Sequence, residues 1–142
     1  FTRERLWLVS LALAFGVDDA TFDRVVFAVE RGHGERLLDR LIATRRPEHP
    51  IGEDLPFPRI LGSLDAAFDA ADPERAVASV RKYLDGWYPA WKGTMGWGGH
   101  EAQHVNHYWG YWAFEVPGVV TALGLDDASL RDNEFYPRDL LG

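Results

Sequence analysis

A chain of 142 residues with 46% hydrophobic, 13% aromatic and 26% charged side chains can bury the core of about one domain, which excludes intrinsic disorder and two independent lobes. Fifteen Lys and Arg against 22 Asp and Glu leave a net charge of −7, a sign that repels phosphate backbones and anionic lipid and argues against nucleic-acid or membrane partners. The absence of cysteine excludes disulfide scaffolds, thiolate metal sites and cysteine nucleophiles, and a cytoplasmic setting fits best.

In chain order, Leu6 to Phe15 is apolar on every side, which predicts a buried helix. The run is too short to cross a bilayer, and no small-residue cleavage site follows it to make Arg3 and Arg5 the start of a signal peptide. Gly16 suits a helix C-terminus, and Asp18 or Asp19 can cap the next helix, whose stripe is Phe22, Val25, Val26 and Val29. Gly32 and Gly34 end it. A third helix turns Leu37, Leu38, Leu41 and Ile42 inward and Arg36, Asp39, Arg40 and Arg45 outward.

Pro47, Pro50, Pro56 and Pro58 predict a loop over 46–58 within one domain. Helical spacing resumes at Ile60 or Leu61, Leu64, Phe68 and Ala71. Asp72-Pro73-Glu74 then supplies an N-cap, a proline at the first helical position and a first-turn acid. Val77, Val80, Leu84 and Trp87 form the inner face of this helix. Pro89, Gly93, Gly96, Gly98 and Gly99 predict a second loop, followed by a long helix from about His100 to Leu123, kinked at Pro117. The segment Gly16 to Phe22 matches Gly124 to Leu130 in residue type at every position, which is best explained as one capping device used twice. With no alternating stretch long enough for a sheet, the expected fold is all-α, a single compact bundle of about six helices. The chain starts at Phe1 and its only methionine is Met95, so residues 1–142 are expected to be the C-terminal part of a longer protein.

His100-Glu101-Ala102-Gln103-His104 is an H-E-x-x-H sequence, which on a helix places two imidazoles one turn apart with a glutamate as general base. A catalytic zinc also needs a third ligand and an open position. His107 on the same straight helix converges poorly. His107 and Gly110 reverse the order that the longer metzincin pattern requires. Glu115 lies about 16 Å from His104 along a continuous axis. A polar helix face is therefore the preferred reading, no metal or other cofactor is expected, and a small zinc-dependent hydrolase using His100, Glu101 and His104 is the alternative. An unspecific helical interaction domain is a third. No P-loop, nucleophile elbow or dinucleotide fingerprint is present.

The charge is not even. Residues 1–50 hold eight basic and eight acidic side chains, whereas 51–142 hold seven against fourteen, so the whole excess lies in the second part and would steer a basic partner to it.

From Tyr108 to Leu141 the chain carries three motifs: Gly110, Tyr111, Trp112, Phe114 and Glu115 as GYW-x-FE; Gly124 to Asp127 as a glycine-aliphatic-Asp-Asp turn; and Phe135, Tyr136, Pro137, Asp139 and Leu140 as an aromatic-Tyr-Pro-x-Asp-Leu ending. In these it resembles the C-terminal domain of the immunity proteins of the PoNe–PoNi toxin–immunity pairs linked to bacterial type VI secretion. Ser10 to Asp18 and the leucine-aspartate helix at Leu37 to Leu41 also resemble the start of the family domain, so the resemblance spans nearly the whole chain, strongly in the last third and loosely in the middle. The resemblance implies an antitoxin without catalysis that binds a cognate DNase toxin and blocks its active site or its access to DNA, and it leaves a homo-oligomer open. On this reading Gly110, Tyr111, Trp112, Phe114, Tyr136 and Pro137 are packing residues, and Glu115 is an acid satisfied by a helix end or a buried partner. The expected toxin contacts are the loop acids Glu53, Asp54, Asp126, Asp127, Asp132, Glu134 and Asp139.

Overall fold

The computed structural model describes residues 2–30, 34–92 and 112–141. Seven α-helices and three short 3-10 turns are described, with no strand among the described residues, so the fold is all-α. No helix among them is long and apolar enough to cross a membrane.

The first helix, α1 (Thr2–Phe15), buries Leu6, Val9, Ala12 and Leu13 and packs chiefly on the last helix. Its apolar run is not buried all round as the sequence predicts. Leu8 is 49% exposed and Phe15 59%, because neighbours cover only one side of the helix. Gly16, at φ 62°, ends it by donating to the Leu13 carbonyl while Val17 donates to that of Ala12. Gly124, also at φ 62°, closes the last helix through the same pair of bonds, from Gly124 to Thr121 and from Leu125 to Val120. The internal echo is thus capping chemistry. It diverges afterwards: Asp18 accepts the Thr21 amide at 2.8 Å and starts α2 (Asp19–Val29), whereas Asp126 accepts the Ala128 amide and only a 3-10 turn, Ala128–Leu130, follows. Phe22 and Leu130, equivalent in the echo, are both buried.

In α3 (Arg36–Ala43) Leu37, Leu38, Leu41 and Ile42 point inward as expected. Asp39, expected outside, is buried: its carboxyl accepts from the His49 ring Nε2 at 2.8 Å and the Gly52 amide at 2.9 Å, tying the proline-rich loop to the helix. Arg36 and Arg40 reach Asp65 on α4 (Pro58–Ala66), and Arg40 also reaches Asp69 in the 3-10 turn Ala67–Asp69. Asp72 then caps α5 (Pro73–Asp85) through the Arg75 amide, with Pro73 in the first turn and Ala76, Val80, Tyr83 and Leu84 buried.

Two expectations about proline fail for the same reason. Pro89 does not open a loop but lies in the first turn of α6 (Trp87–Lys92), and Pro117 does not kink a long helix but is the third residue of α7 (Glu115–Leu123). First-turn amides have no intrahelical acceptor, so a proline there forfeits nothing. Residues 112–114 are not α-helical, so α7 does not run back continuously to His100. A last 3-10 turn, Arg138–Leu141, packs near α1.

Candidate interaction surface

Glu115, the first residue of α7, is 2% exposed. Its carboxyl accepts from the Trp7 indole of α1 at 2.8 Å, the Tyr83 hydroxyl of α5 at 2.5 Å and the Trp87 indole of α6 at 2.7 Å. Trp91 donates in turn to the Tyr83 hydroxyl at 3.0 Å, and Arg3 lies over the Trp7 and Trp91 rings. Burial and the adjacent Glu115 push the Tyr83 hydroxyl well above the ordinary tyrosine range. Glu115 is therefore an acid satisfied by buried partners, one of the two roles the resemblance implies for it.

Immediately before it, the Ala113 amide donates to the Phe135 carbonyl at 2.9 Å, which lays residues 112–114 against the chain end. Phe135 packs on Trp87 and Tyr88, with ring centres 4.9 and 6.0 Å apart. Tyr136 is fully buried and donates to Asp127 at 2.6 Å, and Arg131 donates to the same carboxyl at 3.1 Å. Burial pushes the Asp127 carboxyl up, but these two hydrogen bonds and the Arg131 charge outweigh it and hold it below its ordinary value. Burial and the Asp127 contact drive the Tyr136 hydroxyl upward.

Two concavities result. Trp112, Phe114, Pro137, Arg138, Asp139 and Leu140 wall one of about 230 Å³. The other, of about 450 Å³, lies between α5 and the chain end, where Arg81, Asp85, Asp132 and Glu134 rim it above Leu84 and Phe135. Arg81 donates to the Ser129 carbonyl and Asn133 to Asp85 at 3.4 Å, which fixes that segment along α5.

The predicted residues divide accordingly. Asp126, Asp132, Glu134 and Asp139 are exposed along the C-terminal segment, whereas Asp127 is half-buried and committed to Tyr136 and Arg131. Glu53 and Asp54 are also exposed but are held elsewhere, where Asp54 exchanges backbone bonds with Gly34 and Arg36 at the start of α3. Pro137 and Tyr136 are buried, Phe114 is partly so, and Trp112 is 37% exposed. Gly110, Tyr111, His100, Glu101 and His104 lie outside the described residues. Among those described, no group of three His, Asp or Glu side chains is placed to hold a metal. Sequence reasoning missed Asp85, whose place in the last turn of α5 gives no sign that residues 132–135 fold back beside it.

These features define a class: an all-α protein whose C-terminal segment is held against α5 and α6 by the Arg81 bond to Ser129 and the Phe135 ring on Trp87, and leaves Asp126, Asp132, Glu134 and Asp139 exposed. The family model of the PoNe immunity proteins (PoNi), C-terminal, matches residues 34–140, and the chain belongs to this family. Membership makes it an immunity protein of the kind paired with a nuclease effector. No curated protein and no solved structure matches the chain.

Proposed function

We propose that this protein is the antidote to a cognate DNase effector of the type VI-linked kind, acting in the cytoplasm by covering the toxin's active site or its approach to DNA. Family membership supports the pairing. The observation that carries the mode of binding is the C-terminal segment itself, where Asp126, Asp132, Glu134 and Asp139 are exposed and two of them, Asp132 and Glu134, rim a concavity with Asp85. A DNase must present a cationic cleft to phosphate, and an acidic surface meets such a cleft with electrostatically steered association. Glu53 and Asp54 form a second acidic edge available to the same partner.

Co-expression with the nuclease encoded beside it tests the reading: cells survive with the immunity gene and die without it. Failure of the full-length protein to rescue overturns the proposal. In stopped-flow measurements, raising the salt slows association more than it speeds dissociation. A salt-insensitive on-rate would exclude the acidic surface from the encounter.

A further inference from the structure

The strongest unassigned feature is the 230 Å³ concavity whose walls are the two ends of the C-terminal motifs, Trp112 and Phe114 on one side and Pro137, Arg138, Asp139 and Leu140 on the other. We propose that this pocket receives a cationic side chain, arginine or lysine, of the nuclease effector, with the Trp112 ring as its stacking face and Asp139 as its counter-charge. The inference rests on the antitoxin reading above.

Several observations converge on it. Trp112 is 37% exposed, although the next residue, Ala113, is fully buried and Glu115 nearly so. A large aromatic side chain left open on a locked backbone resembles the anchors that dominate protein interfaces, which are enriched in tryptophan and centred on small pockets. The backing is rigid. Phe114 packs edge-on against Trp7 at 5.7 Å, Ala113 is bonded to Phe135, and Tyr136 is fixed by Asp127. The volume exceeds one water's share of about 30 Å³ yet falls below the roughly 300 Å³ at which small-molecule sites begin, so a single side chain suits it.

The charge selects which side chain. Residues 126–139 carry five Asp or Glu against two Arg. Of those arginines, Arg131 is paired with Asp127; Arg138 keeps its charge and also lines the pocket, but its guanidinium is engaged at 3.1 Å with the Arg131 carbonyl, while Asp139 is exposed at the rim. An indole face beside a carboxylate is a favourable seat for guanidinium or ammonium, because the ring quadrupole and the anion both attract the cation. The proposed partner, built to bind DNA, offers that chemistry.

The test measures binding of the full-length protein to the catalytically inactivated nuclease domain encoded beside it, by surface plasmon resonance with unchanged urea midpoints as the folding control. Trp112→Ala and Trp112→Leu raise Kd about thirtyfold, mostly through faster dissociation, whereas Trp112→Phe, which keeps a π face, stays within about fivefold. Asp139→Asn raises Kd about tenfold and flattens its salt dependence. If the unmodified protein binds tightly but Trp112→Ala and Asp139→Asn stay within threefold of it, the pocket inference is overturned and the antitoxin reading stands. Wild-type affinity in Trp112→Leu overturns the cationic occupant. Absence of any binding by the unmodified protein overturns both.

Discussion

The hydroxyl of Tyr83 and the carboxyl of Glu115, 32 positions apart in sequence, meet at 2.5 Å in the core and join the end of α5 to the start of α7. With Trp7 and Trp87 donating to the same carboxyl, one side chain fastens four helices. Removing it strands three donors, all but Trp7 fully buried, and an unsatisfied buried donor costs its desolvation. Glu115→Ala therefore lowers the unfolding free energy by about 3–5 kcal/mol. Glu115→Gln, which keeps one acceptor oxygen, loses less. Urea titration followed by tryptophan fluorescence measures both, and an alanine variant within 1 kcal/mol of the parent would show that the Glu115 carboxyl is not a stabilising hub.

Packing of α1 on α7 depends on Gly118. A Cβ there would lie 2.4 Å from the Ser10 Cα, a backbone atom that cannot move aside, and the Gly118 amide donates to the Ser10 hydroxyl at 2.7 Å. Ser10 in turn donates to the Phe114 carbonyl at 2.6 Å. Gly118→Ala must push the helices apart and costs about 3 kcal/mol, at the upper end of overpacking effects. Ser10→Ala costs about 1–3 kcal/mol by leaving the Gly118 amide without its acceptor. Denaturant midpoints rank the two, and a tolerated alanine at 118 would disprove the close approach.

Helix caps give a graded prediction. Asp72→Ala removes the acceptor of the Arg75 amide and destabilises by about 1 kcal/mol. Asp18→Ala also lowers the melting temperature, because it uncaps α2 through the Thr21 amide. Asp126→Ala, which releases only a short turn, lowers it least. Calorimetry that placed Asp126→Ala above the other two would contradict the divergence of the two echoed segments.

The buried tyrosines and Asp127 set opposite limits of pH. Tyr83 and Tyr136 have folded-state values above the ordinary tyrosine value of about 10, so their contribution is complete below that pH and is lost as pH rises past it. Asp127 is depressed, so its contribution is present above about pH 4 and disappears as pH falls through its folded value. The urea midpoint is expected to fall above pH 10, less steeply in Tyr136→Phe, and the acid-side fall is shallower in Asp127→Asn. Identical pH profiles for parent and variants would refute the Tyr136–Asp127 coupling.

Local chemistry was legible because it acts over a few residues. The stop at Gly16, the caps at Asp18 and Asp72, the inward leucines of α3 and the all-α class follow from spacing and residue type, and the motifs at Trp112 to Glu115 and Phe135 to Leu140 were sufficient to identify the family. Reading failed where an outside partner decides the outcome. Asp39 looks like a solvated helix residue until His49 and Gly52 arrive, and Pro117 looks like a kink until the helix is seen to begin two residues before it.

The sequence by itself determined the all-α class, the caps at Gly16, Asp18 and Asp72, which part of the chain carries the negative charge, and the family, but not where α6 and α7 begin. Only the tertiary structure decided that Glu115 is spent inside the core while Asp132, Glu134 and Asp139 are left on the surface, and that Trp112 stands open beside Asp139. The physical reason is reach: a cap or an apolar stripe is satisfied within a turn or two of the chain, but a carboxylate is buried only if distant donors converge on it, and that convergence is a property of the packed helices.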